Sequence, residues 1–443
     1  MKILIVSYYF APQNLIGAVR PTKIAKYLAR MGHEVTVLCG AGRDGKIDPT
    51  LERDLAGLAD VHLLREINPL RWWYMRKKPV QPGGGAGIAP AAAKPGGLKK
   101  RILRTVDAVY RWLRWMSDVH FSHLGRKELK KLSGPYDAVF STYAPFSVHQ
   151  IARKARKSGL AQCWIADFRD EVGMPFAFQK GKMERYMRMI RREADIISAV
   201  SDGFLEMMGF EDVGRVLSNG FDREDLPQME ADADERQLRV VYCGQLQDSR
   251  REVGNRDITP MFRALAKLVE QGALRKEEIR LAYAGREGAL FAQYAEASGL
   301  RECVEDHGQV SREASIALQK GAGILLMGSH HMASQKGILT GKLFEYMMMD
   351  KPIVCCMAGD LPNSGVKQVL AETGMGLCCE AANAQADEAA LLDWLKEKVR
   401  CWRENRSMLE GKNSQCVEKY GYPFLAGELA GWMKERNGER NEG

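Results

Sequence analysis

The residues best suited to chemistry lie in Lys336-Gly-Ile-Leu-Thr-Gly-Lys342-Leu-Phe-Glu345-Tyr346, a loop with glycines at 337 and 341 that turns into a short helix. Leu343, Tyr346 and Met347 recur at helical spacing, and Pro352 ends the helix before the apolar run Ile353-Val-Cys-Cys356. Backbone N–H groups at a glycine-rich helix start lack intrahelical partners and sit at the positive end of the helix dipole, so they bind anions. Lys342 in the first turn opposes that dipole by itself. It makes sense there if a phosphate group sits beside it. An ordinary amphipathic helix of an α/β domain is the plainer reading of the same residues.

A second constellation is Asp167-Phe-Arg-Asp170, which follows the apolar run Cys163-Trp-Ile-Ala166. Open α/β sheets hold their ligands at the carboxyl ends of strands. Asp167 and Asp170 beside Arg169 can position a hydroxyl or assist proton transfer; a structural ion pair capping the next helix would use the same side chains. Near the start of the chain, Gly17 lets a phosphate or an acceptor approach the backbone, with Arg20 to supply charge.

These residues need two β-α-β frameworks to position them. Lys2-Ile-Leu-Ile-Val6 and Glu34-Val-Thr-Val-Leu-Cys39 read as buried parallel strands around a loop holding Pro12 and Gly17, then a helix from about Pro21 to Met31 capped by Gly32. Strands at Tyr136–Thr142, Cys163–Ala166 and Ile196–Ser201 continue this half. The acidic stretch 224–237 reads as a linker. Leu238–Cys243 restarts the pattern and leads through Gly244 into a polar loop with Arg250, Arg251 and Arg256 that ends at Pro260. Ile279–Ala284, Val304–His307 and Ala322–Met327 follow as strands between helical stretches, with a last strand at Gly376–Cys379 and helices at about 387–410 and 414–436.

With 443 residues, two or three cores are expected, and 45% apolar against 27% charged residues is a soluble globular composition. No apolar run approaches the roughly 18 residues needed to span a bilayer. The ten cysteines form no C-x-x-C pair, and Cys39, Cys243, Cys355, Cys356, Cys378 and Cys379 lie inside apolar runs, as reduced cytosolic thiols do. His307, His330 and His331 have no carboxylate or second histidine at i+4, so no metal is expected. The net charge of +9 suits an acidic partner. From 71 to 115, eleven Lys/Arg stand against one acid, with tryptophans among them, flanking a Pro/Gly/Ala-rich stretch. That insertion, 71–116, suits either an anionic membrane surface or a helix with a solvated basic face. No recognisable nucleic-acid module accompanies it, so nucleic acid is not an expected partner.

Thr340-Gly-Lys-Leu-Phe-Glu-Tyr346 followed by Lys351-Pro-Ile-Val354 resembles the nucleotide-sugar loop of family 4 glycosyltransferases of the GT-B fold, nearest the branch that builds bacterial surface polysaccharides. Gly32-His-Glu-Val-Thr-Val37, the D-x-R-D segment and Asn219-Gly-Phe-Asp222 resemble the same family. The resemblance implies two Rossmann-like domains facing each other across a nucleotide-sugar cleft: 1–223 on the acceptor side, the linker 224–237, 238–412 for the donor, and 413–443 returning to the first domain. It implies that Glu345 binds the donor ribose, and that Gly337, Thr340, Gly341, Lys342 and Leu343 surround the diphosphate. Gly244 would approach that diphosphate, with Arg256 as the first-choice arginine of its loop, and Gly308 and Val310 would hold the nucleobase. Arginine suits the role because its planar fork gives two directed hydrogen bonds. Asp167, Arg169 and Asp170 fall to the acceptor side, and Gly17 and Arg20 would meet either a phosphate or the acceptor. Many relatives carry a second glutamate eight positions before Glu345, where this chain has Gly337.

The implied activity is retaining transfer of a hexosyl or N-acetylhexosaminyl group from a nucleotide diphosphate sugar, expected to be UDP-linked, to a polysaccharide or lipid-linked acceptor. Arg256 and Lys342 would steady the leaving diphosphate, Asp167 and Asp170 would act on the acceptor, and no metal or other cofactor would be needed. The expected location is the cytoplasm, peripheral to the inner face of the cell membrane. Two rivals share the fold: a nucleotide-sugar 2-epimerase, which needs no acceptor, and a non-catalytic scaffold of a polysaccharide assembly complex, made thinkable by Gly337.

Overall fold

A computed structural model describes residues 1–41, 47–65, 112, 115–170, 180–226, 236–246, 256–333, 336–337 and 339–441. The chain forms two compact units. One comprises Met1–Ala199, Met208–Val216 and Ala426–Gly443; the other comprises Val200–Met207 and Leu217–Leu425.

The first unit is built on seven parallel strands: β1 (Lys2–Ser7), β2 (Glu34–Gly40), β3 (Asp60–Leu64), β4 (Tyr136–Tyr143), β5 (Ala161–Phe168), β6 (Ile196–Ala199) and β7 (Gly214–Val216), in the order β3-β2-β1-β4-β5-β6-β7. The second has six: β8 (Leu238–Cys243), β9 (Ile279–Ala284), β10 (Val304–Asp306), β11 (Ile324–His330), β12 (Ile353–Ala358) and β13 (Gly376–Glu380), in the order β10-β9-β8-β11-β12-β13. Strand order reverses between β1 and β4 in one sheet and between β8 and β11 in the other. A doubly wound sheet opens its ligand crevice at that reversal, outside the carboxyl ends of the strands.

Side-chain alternation explains the layers of the second unit. Val240 and Tyr242 of β8 enter a core with Ile324 and Leu326 on one face of the sheet. Val241 and Cys243 enter another with Leu325 and Met327 on the opposite face. Both faces being covered, the strands read as continuous apolar runs.

Two features differ from the sequence reading. The first helix runs Ile16–Arg30, so Gly17 lies in its first turn and not in a loop, and Pro21 lies inside it. Pro21 has no N–H to give the Gly17 carbonyl, yet the helix continues because that carbonyl finds another donor, described below. The strand Asp60–Leu64 was not foreseen, since it is an edge strand with Val61 and Leu63 exposed and carries little apolar signal. Most of the basic, aromatic insertion and of the linker, including Arg250 and Arg251 beyond it, lies outside the described residues; Trp112, Trp115 and Met116 are described, and a helix spans 115–128. Among the described residues no helix is long and apolar enough to cross a membrane. Nine of the ten cysteines are buried and all are unpaired thiols.

Candidate functional site

The second unit brings Gly244, Arg256 and Lys342 together at the carboxyl end of β8. Gly244 follows that strand directly with φ +121, and a Cβ there would stand 2.7 Å from the Lys342 ammonium. Only glycine leaves that space open and accepts that backbone conformation. Lys342 starts the helix Gly341–Met348, and its Nζ lies 4.4 Å from the centre of the Tyr242 ring. The contact is a cation–π attraction, which compensates a buried ammonium only in part. Burial first, and the charge of Arg256 second, lower the Lys342 pKa to about 8. Among the described residues no carboxylate pairs with Lys342. Arg256 anchors its Nη1 on the Gln245 carbonyl at 2.6 Å, and its buried Nε has no partner among the described residues. Gly328 of β11 makes room for Arg256, since a Cβ at that position would come within 2.8 Å of Arg256 Cβ.

The helix holding Lys342 and Glu345 is fixed from its buried face. Leu343, Phe344, Tyr346 and Met347 are core residues, so Leu343 can offer a ligand only its backbone. The Tyr346 hydroxyl accepts from Cys243 N–H at 3.1 Å and lies 3.3 Å from the Leu326 carbonyl, tying the helix to β8 and β11. Thr340 occupies the N-cap position but makes no side-chain cap, and its Oγ1 is buried without a partner among the described residues. The helix start thus presents unsatisfied N–H groups, a hydroxyl and an ammonium together, with Gly341 exposed. One turn on, Glu345 Oε1 accepts from Gln319 Nε2 at 2.6 Å, which orients the carboxylate. Gln319 and Tyr242 were missed by sequence reasoning, although Gln319 shares the helical spacing of buried Ile316 and Tyr242 the alternation of Val240.

Gly308 follows β10 with φ +61; its N–H bonds Asp306 Oδ1 at 2.9 Å and its carbonyl accepts from Gly285 N–H at 2.8 Å. Val310 packs its side chain against the core. Gly337 has φ +71, and its carbonyl accepts from Ser201 Oγ at 2.6 Å. A Cβ at 337 would meet Ser201 Oγ at 2.5 Å and Phe204 N at 2.7 Å. No glutamate fits there.

The first unit forms a separate cluster. Asp167, 0% exposed at the end of β5, grips Arg20, 2% exposed, through both oxygens. It also accepts from Thr142 Oγ1 at 2.7 Å and Ser198 Oγ at 2.8 Å. The pair is buried and saturated, so Asp167 faces Arg20 and not solvent. Arg169 donates through Nε to the Tyr143 carbonyl at 2.7 Å and through Nη1 to the Gly17 carbonyl, the one Pro21 leaves open. Its guanidinium lies 5.6 Å from the centre of the Tyr9 ring, and its buried Nη2 has no partner among the described residues. Burial lowers the Arg169 pKa, offset chiefly by Asp170. Asp170 is exposed, 3.8 Å from Arg169 Nε.

No family model and no curated protein sequence matches the chain. Solved structures do. The N-terminal domain of Candida albicans trehalose-6-phosphate phosphatase matches with a TM-score of 0.56 at 14% identity, over 98% of this chain and 97% of that one. Sucrose-phosphate synthase from Thermosynechococcus elongatus matches with 0.54 at 13% identity, over 98% of both chains. The apo lipopolysaccharide outer core galactosyltransferase WaaB matches with 0.51 at 14% identity, over 98% of this chain and 100% of that one. The fold is GT-B. At these identities the likeness of a GT-B chain to its neighbours speaks for architecture alone, and the chemistry must be argued from the two clusters.

Proposed function

We propose that this GT-B protein is a retaining glycosyltransferase of family 4, of the branch that builds bacterial surface polysaccharides. It moves a sugar from a nucleotide diphosphate sugar, UDP-linked, to a polysaccharide or lipid-linked saccharide. The observation that carries this reading is Lys342: a half-buried ammonium without a carboxylate among the described residues, against a glycine, beside Arg256 and a helix start with unsatisfied N–H groups. Two partly desolvated cations side by side repel each other, and a diphosphate offsets that cost. Glu345, one turn further and oriented by Gln319, is the residue we assign to accept from the two ribose hydroxyls of such a nucleotide. Val310 would receive the base through its backbone, with Gly308 shaping the turn, since the Gly308 N–H is held by Asp306 and its carbonyl by the Gly285 N–H.

During transfer the bond from the anomeric carbon to the diphosphate oxygen breaks, and its electron pair stays with the diphosphate. Lys342, Arg256 and the N–H groups of Gly341 and Lys342 stabilise that developing charge, an electrostatic effect in place before the reaction starts, while the Leu343 N–H is taken by the Thr340 carbonyl at 3.1 Å. The acceptor hydroxyl bonds to the anomeric carbon and gives up its proton, a role we assign to Asp170 as the base. Arg169 Nη2 is a donor left for the acceptor, and Arg20 and Gly17 hold Arg169's surroundings in place. Asp167 acts through Arg20 as a positioning residue.

Thermal unfolding with UDP, GDP, ADP and UDP-sugars tests the reading. UDP should raise the melting temperature, and Glu345→Ala should abolish the rise while melting at an unchanged temperature by itself. No shift with any nucleotide would overturn it. Product analysis with and without a saccharide acceptor then separates transfer from epimerisation.

A further inference from the structure

A cavity of about 460 Å³ in the first unit is lined by Arg126, Gln150, Arg153, Arg185, Tyr186 and Met189. It belongs to the helical layer: Arg126 comes from the helix 115–128, Gln150 and Arg153 from Ser147–Lys157, and the rest from Lys180–Glu193. None of Arg20, Asp167 and Arg169 lines it. Arg153 is neutralised by Glu193, with Nε 2.6 Å from Oε2. Arg126 and Arg185 are not neutralised. Arg126 reaches only the Gln150 amide oxygen at 3.3 Å, and Arg185 only the Gly181 carbonyl at 3.2 Å; neither pairs with a carboxylate among the described residues. Gln150 Nε2 donates to the Tyr186 hydroxyl at 2.7 Å, and the Tyr186 ring stacks on Phe146 with centroids 4.2 Å apart. The cavity therefore combines two uncompensated guanidinium groups on different helices with fixed polar groups and an aromatic and thioether wall.

We propose that this cavity binds the phosphate monoester head of an amphiphile. Arg126 and Arg185 line the cavity from separate helices, and a phosphate monoester, with three terminal oxygens, has acceptors for the forks of both where a carboxylate has only two oxygens. The volume exceeds what a phosphate alone fills, and Met189 with the Tyr186 face gives the attached chain an apolar surface. The arginine stems can lie along the same surface while their heads remain polar. The site does not rest on the sugar-transfer reading, because its readout is binding and not turnover.

The test is calorimetric titration of the full chain with dihexanoyl phosphatidic acid, dihexanoyl phosphatidylcholine and inorganic phosphate. Saturable binding of the phosphatidic acid is expected, with phosphatidylcholine silent and inorganic phosphate at least tenfold weaker. The double variant Arg126→Gln/Arg185→Gln should weaken phosphatidic acid binding at least tenfold. A variant with the same charge change elsewhere, Lys267→Gln/Arg301→Gln, should leave it unchanged. Both arginines are exposed, so the double variant should melt like the parent. Protection of Arg126 and Arg185 from phenylglyoxal by phosphatidic acid gives a second readout on the unmodified sequence. Equal binding by both variants, or absence of protection, would overturn the site. Inorganic phosphate binding as tightly as phosphatidic acid would overturn the amphiphile.

Discussion

Lys342 titrates where assays are run. With a pKa of about 8 it is protonated near neutrality, and each pH unit above 8 removes about tenfold of the charged form. UDP affinity should therefore be highest below pH 8 and fall as pH rises, and Lys342→Met should bind weakly with a flattened profile; titration at pH 7 and pH 9 reads this directly. The sign for stability is opposite. Between 8 and 10.5 the unfolded chain binds the proton better, so this group's folding penalty is complete below pH 8 and is relieved as pH climbs toward 10.5. Asp167 sits at the other extreme, saturated and buried. Asp167→Ala removes the two carboxylate oxygens that hold the buried Arg20 guanidinium and should cost about 3–5 kcal/mol, measured by urea denaturation. A loss under about 1 kcal/mol would mean the pair contributes little.

At the scale of elements, the stretch before the helix Gly341–Met348 is fixed by what it touches. Lys336 pairs with Glu206 at 2.8 Å and the Gly337 carbonyl takes the Ser201 hydroxyl. A glutamate here, which the family 4 resemblance would call for, would need positive φ and space already filled by the Ser201–Phe204 turn. Gly337→Glu should therefore not restore a sugar contact. It should shift this loop, weaken UDP binding and lower stability by more than about 1 kcal/mol, as side chains forced into positive φ do. Unchanged melting with tighter UDP-sugar binding would refute that account. Pro21 shows the converse: a residue expected to open a helix sits within one because Arg169 takes the carbonyl it strands.

Across the whole molecule, the chain re-enters the first unit at Ala426. Leu429 and Met433 are fully buried there, Arg215 pairs with Glu435 at 2.7 Å, and Asn437 donates to the Asp137 carbonyl at 3.2 Å. A chain ending at Leu425 should lose about 3–6 kcal/mol from the first unit through those two side chains alone, at about 1.5–3 kcal/mol each. Limited proteolysis should then cut the first unit faster than in the full chain. A saturating nucleotide should raise stability by about 2.7 kcal/mol at a hundredfold excess over Kd, whatever else it does.

Local pattern made most strands of the two parallel sheets and the glycine-rich helix start with Lys342 legible, because apolar runs, glycine and proline act over a few residues, whereas Glu345 was singled out only by the family resemblance. The bounds of Leu238–Cys243 and Ile279–Ala284 were legible to the residue for that reason. Partnership was not legible, because it is set by strand order and packing between residues far apart in sequence. Tertiary structure alone decided that Asp167 is spent on Arg20, that Gln319 holds Glu345, that Gly244 clears space for an ammonium, and that residue 337 admits no side chain.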